Sequence, residues 1–168
     1  GFEYFYGFIG GEANQWYPSL YEGTTPVEPN KTPEEGYHLV EDMTDKAINW
    51  IAQQKGLAPD KPFFVYFAPG ATHAPHHVPK EWADKYKGKF DQGWDKLREE
   101  TFARQLKLGV IPQDCLLTTR SAGIPSWDET KPEMRPVLAR QMEVYAGYLS
   151  YADHYVGELV KALEDLEI

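Results

Sequence analysis

Phe63-Phe64-Val65-Tyr66-Phe67-Ala68 is an unbroken apolar run of β-favouring side chains, introduced by Lys61-Pro62 and closed by Pro69-Gly70. It does not alternate polar with apolar, so as a strand it has no face suited to water. Such a strand expects cover on both faces and partners on both edges, as at the centre of an α/β sheet. Buried backbone groups must be paired, yet the chain offers only weak further strands, at Tyr4–Phe8 and Leu116–Thr119. The expectation is an α/β fold, helix-rich with few strands: part of a mixed sheet between helices, completed by something outside this chain.

Helical signals surround that run. Val40, Met43, Ala47, Trp50 and Ile51 recur at helical spacing, which predicts a helix from about Leu39 to Gln54 stopped by Gly56. Shorter helices are expected at Lys80–Tyr86 and Asp91–Leu108, the latter ended by Gly109, with irregular chain over Val110–Ser126. The longest pattern comes last. Leu138, Met142, Tyr145, Leu149, Ala152, Val156, Leu159, Leu163 and Leu166 form one apolar stripe, read as a long helix laid on a sheet. Gly147 and Gly157 argue against an isolated coiled-coil rod.

With 168 residues, 14% of them aromatic, the chain has the makings of one folded unit. A formal net charge of −9 disfavours nucleic acid or an anionic membrane as a partner. No apolar run approaches the ~20 residues of a membrane span. Cys115 is the single cysteine, so an internal disulfide is excluded and the compartment stays open between cytoplasm and periplasm.

The loop after the run is the best candidate for chemistry, because ligands of open α/β sheets bind beyond the carboxyl ends of strands. His73 lies in it, and a histidine there either transfers protons or is simply held by the backbone. A metal site at His73, His76 and His77 would lack any cysteine or acidic ligand within Ala71–Pro79. Cys115, in Cys-Leu-Leu-Thr-Thr-Arg, reads as a structural thiol.

Several blocks together resemble bacterial arylsulfatases of the alkaline-phosphatase-like superfamily. They are Gly1-Phe2-Glu3-Tyr4-Phe5-Tyr6-Gly7-Phe8-Ile9-Gly10-Gly11 with Asn14-Gln15-Trp16-Tyr17-Pro18, then Tyr37-His38-Leu39. Lys61–His76, Phe90–Asp95 and Gln141–Gly147 with Asp153 and Gly157 follow in family order. The resemblance implies hydrolysis of aryl or sugar sulfate esters, with His73 as the catalytic residue that contacts the sulfate and helps protonate the leaving oxygen. Asn14, Gln15 and Trp16 are read as lining the substrate entrance, Trp16 offering a flat face to an aryl group, or else as core packing.

The resemblance also implies a formylglycine and a calcium ion for the intact enzyme. Neither transfers to this chain: Cys115 lacks the maturation pattern, and no metal ligand can be carried over. Residues 1–168 are therefore expected to be a single partial domain, an internal segment of a sulfatase catalytic domain that is inactive alone. A non-catalytic module that self-assembles into a homo-oligomer, and a phosphate-ester hydrolase of the same superfamily, are the alternatives.

Overall fold

The computed structural model describes residues 1–168, a helix-rich mixed α/β chain with a small antiparallel sheet. Strand β1 (Tyr6–Gly7) pairs with β2 (Leu20–Glu22), which pairs with β3 (Thr25–Val27). β1 falls within the expected Tyr4–Phe8. The β2–β3 hairpin lies in the proline-bearing stretch between Pro18 and Pro33, where no strand was expected. Pro26 is tolerated there because β3 is an edge strand, where one missing N–H breaks no inner ladder. Gly23 makes the turn at φ +61°, a conformation glycine adopts without steric cost.

The helices lie close to their expected positions: α1 (Leu39–Leu57), α2 (Lys80–Asp84), α3 (Gly93–Leu108) and α4 (Arg135–Asp165). Helix α1 runs through Gly56 and stops before Ala58-Pro59, since a residue preceding proline avoids the helical region. Gly109 ends α3 in the left-handed conformation, its N–H returning to Gln105 and Leu106. The loop that follows α3 is pinned back onto it. Asp95 accepts from Trp127 N (2.8 Å) and Arg120 Nη1 (2.9 Å), and Arg98 donates to Thr118 O (2.7 Å). Leu116–Thr119 accordingly forms no strand.

Helix α4 lies across α1 and α2, and Val40, Tyr148, Tyr151 and Ala152 make the centre of the core. Its buried face is Ala139, Glu143, Gly147, Tyr148, Tyr151 and Ala152. This face shares only Ala152 with the expected stripe, of which Met142, Tyr145, Leu149 and Val156 are exposed. The physical reason is closeness: Gly147 lets two backbones meet, which brings the neighbouring Tyr148 and Tyr151 into the core. Glu143 is admitted because Arg140 Nη1 and Gly88 N each donate to it at 2.7 Å, which holds its carboxyl below the usual carboxylate range.

Gly147 is the point of closest approach. A Cβ there would stand 2.7 Å from both Cα and N of Ala83 in α2, whereas one at Gly157 would meet nothing. Gly147→Ala is therefore expected to lower unfolding free energy by about 2 kcal/mol, because backbone must move. Gly157→Ala should raise it by about 0.5–1 kcal/mol, from helix propensity alone. Urea denaturation of the two variants checks the pair; equal effects would contradict the packing described.

Phe63–Ala68 is extended, but none of its backbone groups is paired with another backbone group. Phe63, Val65 and Phe67 turn inward, Phe63 meeting the Trp50 ring edge-on at 6.0 Å, while Phe64 and Tyr66 are 73% and 74% exposed. A groove of about 880 Å³ runs between this segment and residues 1–8. The run thus has one face on α1, only the Phe2 ring stacked on Phe64 at 5.9 Å on the other, and no backbone partner on its edges. The whole molecule shows the same openness. Its accessible surface is 11377 Å² at 19.2 kDa, against about 8,400 Å² for a compact monomer of that mass.

Candidate functional site

Three stretches of chain converge at the N-terminus of α1: residues 14–16, His38 and the loop 70–79. A helix start leaves N–H groups without internal partners. Here Gln15 O accepts from Leu39 N (2.9 Å), and the His38 side chain, through Nδ1, accepts from Val40 N (3.2 Å). Asn14 Oδ1 accepts from Trp16 N (2.9 Å) and Tyr17 N (3.0 Å), forming the turn that brings Gln15 inward.

The loop is held against this platform. Gln15 N donates to His77 Nδ1 (3.4 Å), and His38 Nε2 bonds to His77 O (3.1 Å). The Trp16 ring meets His38 edge-on at 4.7 Å and lies nearly parallel to His77 at 6.4 Å. Gly70 sits directly on Gln15, whose Nε2 would stand 3.0 Å from a Cβ placed there. Gly70 therefore gives the loop its close approach to the buried amide.

His73 is exposed on this loop. Its Nδ1 lies 2.8 Å from Ala74 O and 3.7 Å from Glu12 Oε2, and its N–H donates to Gly70 O (2.9 Å). A carbonyl can only accept, so the short contact places the proton on Nδ1 and leaves a lone pair on Nε2. Protonation at Nε2 turns that edge into a donor, with Glu12 beside the resulting cation. Thr72 Oγ1 donates to Tyr145 Oη (3.1 Å), and His76 meets the Tyr145 ring edge-on at 5.1 Å, so α4 flanks the loop on its other side.

The structure thus brings Asn14, Gln15 and Trp16 into one neighbourhood with the His73 loop. His73, His76 and His77 do not converge as a metal site; no group of three His, Cys, Asp or Glu residues is placed to hold an ion. Cys115 is half-buried in the loop beyond α3. The residues of this chain therefore do not fit the calcium ion or the formylglycine that the resemblance implies.

His38 is the participant that sequence reasoning missed. It is 1% exposed, and burial pushes its imidazole down to about 4 from an ordinary 6.5, so it is neutral in the fold. It stands at the N-cap of α1, a position that the sequence did not signal because histidine is not among the usual cap residues. Two further groups mark the region. Gln15 Oε1 and Tyr148 Oη are buried without a partner, at a cost of about 1–3 kcal/mol each. Both border the loop.

Comparison with known proteins gives these residues their context. The family model described as Sulfatase matches residues 1–168, the whole chain. An uncharacterized sulfatase of Schizosaccharomyces pombe is 34% identical over 117 residues, covering 69% of this chain and 21% of that protein. An arylsulfatase of Klebsiella aerogenes is 26% identical over 172 aligned positions, covering 98% of this chain and 36% of the relative. The chain thus spans about a fifth to about a third of the length of these curated relatives, one fungal and one bacterial. No helix is long and apolar enough to cross a membrane. With its entire length matched, the chain belongs to the sulfatase family.

Proposed function

We propose that this chain is part of the catalytic domain of an arylsulfatase and supplies the histidine that meets the sulfate group. The observation that carries the reading is the exposed imidazole of His73, with Nδ1 tied to Ala74 O, on a loop anchored at both ends of its histidine cluster. Once protonated at Nε2, His73 donates to a sulfate oxygen and passes that proton to the leaving aryl or sugar oxygen, returning to the neutral ring with its Nε2 lone pair. Asn14 and Trp16 border the entrance, and Gln15 holds them against the loop. Calcium and formylglycine belong to segments beyond these residues, so the 168-residue chain alone is inactive. The open face of Phe63–Ala68 and the surface excess support that reading, since both leave room for the rest of a sheet.

The test is an assay with a chromogenic aryl sulfate and the matching aryl phosphate, with calcium present. It compares this chain with a form extended to the length of its relatives. Turnover of the sulfate by the extended form alone is the expected result. Turnover by the 168-residue chain would overturn the proposed incompleteness, and a preference for the phosphate would reassign the substrate.

A second reading has its own support, in the exposed Phe64 and Tyr66 and the uncovered stripe of α4. Two copies would then cover each other's open faces, giving a dimer by sedimentation that Tyr66→Lys dissociates. A monomer at high concentration would exclude it.

A further inference from the structure

We infer that His38 is a positioning residue for the loop that carries His73, acting through a hydrogen bond from its Nε2–H to the carbonyl of His77. The inference deepens the proposed hydrolase reading and rests on it for its kinetic consequences only.

The argument begins with the tautomer. Val40 N–H points at Nδ1 (3.2 Å), so that nitrogen must present a lone pair. In the neutral ring the proton is then on Nε2, which stands 3.1 Å from His77 O and donates to it. One imidazole therefore closes the start of α1 with one edge and grips the loop with the other. It is almost wholly buried, wedged against Trp16 (4.7 Å) and Tyr151 (4.5 Å), so it has no freedom to release either partner. Neutrality serves the arrangement, because an imidazolium would have to abandon the lone pair that Val40 requires.

The grip matters for position. His77 O is bound by His38, and the next bonds along the loop are His77 N to Pro75 O (2.9 Å) and His73 N to Gly70 O (2.9 Å). Gln15, whose carbonyl accepts from Leu39 N at the same helix start, bonds His77 Nδ1 with its N–H. The helix N-terminus and the loop thus share two anchors, and only His38 supplies its anchor through a side chain. A loop otherwise short of backbone pairing depends on such anchors to hold a reacting group in place.

Two substitutions separate the two edges. Asparagine can place its Oδ1 near the Nδ1 position, so His38→Asn keeps the helix cap and loses the grip. Glutamine can place an N–H near the Nε2 position, so His38→Gln keeps the grip and loses the cap. Hydrogen exchange at the amides of His73 and His77 reads the loop without any assay of activity. His38→Asn is expected to speed exchange there by about ten-fold, the equivalent of one net hydrogen bond. In the extended enzyme kcat for the aryl sulfate should fall by roughly ten- to a hundred-fold with KM little changed. His38→Gln should leave both near wild type while lowering the melting temperature.

Loop exchange unchanged in His38→Asn, or greater disturbance in His38→Gln, would overturn the inference. If the wild-type extended enzyme turns over no aryl sulfate, the hydrolase reading fails while the exchange arm still decides the grip. If neither variant folds, nitrogen-15 spectra of wild-type His38 decide it. A slowly exchanging Nε2–H supports the bond; a proton on Nδ1 or rapid exchange refutes it.

Discussion

His73→Ala, made in the sulfatase extended to the length of its relatives, is expected to lower kcat for an aryl sulfate by about 10²–10⁴-fold. The side chain is 61% exposed and makes no core contact, so removing it should leave the melting temperature within a degree or two of wild type. On the proposed role, what is lost is a donor to the place where charge develops. The departing oxygen then leaves without a proton, and one donor to the sulfate oxygens is gone. Substrates with acidic leaving groups, such as nitrophenyl sulfate, should suffer least, because they need protonation least. A steeper dependence of kcat on leaving-group basicity in the variant is therefore the diagnostic readout. An equal loss across leaving groups would assign His73 to sulfate binding alone. No loss at all would remove it from the site.

The second large effect concerns stability and acid. His38 is held down to about 4 in the fold and titrates near 6.5 when unfolded. The unfolded chain therefore takes up the proton first as pH falls. The neutral His38 contributes fully above pH 6.5, and its contribution drains away as pH falls to about 4. Over that window unfolding free energy should drop by about 3 kcal/mol from this residue alone.

The groups facing it are Trp16, His77 from the loop, and Tyr148 and Tyr151 from α4. None is an anion able to stabilise an imidazolium, and a charged His77 would oppose it further. Carboxylates such as Glu143, whose folded form is held low by Arg140, lose their contribution at lower pH, as they take up protons themselves. Urea titrations at pH 7, 5.5 and 4.5 on wild type and His38→Gln separate the two. The variant should show a flatter profile across the window. Parallel profiles would mean that His38 titrates normally.

The helices were legible because their signals are local. Apolar spacing placed α1 from Leu39, and Gly109 placed the end of α3, whereas α1 runs past the expected stop at Gly56 to Leu57. His73 was legible for another reason: a strand-like run followed by a short loop is a place where chemistry collects, and the surrounding residues carry the family resemblance. The β2–β3 hairpin was obscured by Pro26, which forbids an inner strand but not an edge.

The choice of buried face on α4 was not legible. Two faces of that helix are apolar enough to bury, and spacing favours the one bearing Met142, Tyr145 and Leu149. The face that packs is the one where Gly147 meets the backbone of Ala83. His38 was hidden likewise, since its partner His77 is 39 residues away and the bond exists only once α1 and the loop meet.

The residue pattern by itself determined where this chain turns helical, which segment is extended and apolar, and which histidine stands on the exposed loop. These follow from side-chain spacing and backbone preference within a few residues. Tertiary structure alone decided that α4 packs by the face of Gly147, Tyr148 and Tyr151, that Phe63–Ala68 keeps unpaired edges, and that a buried neutral imidazole ties the loop to α1. Each depends on closeness between segments far apart in the chain, and periodicity within a segment carries no record of what lies across from it.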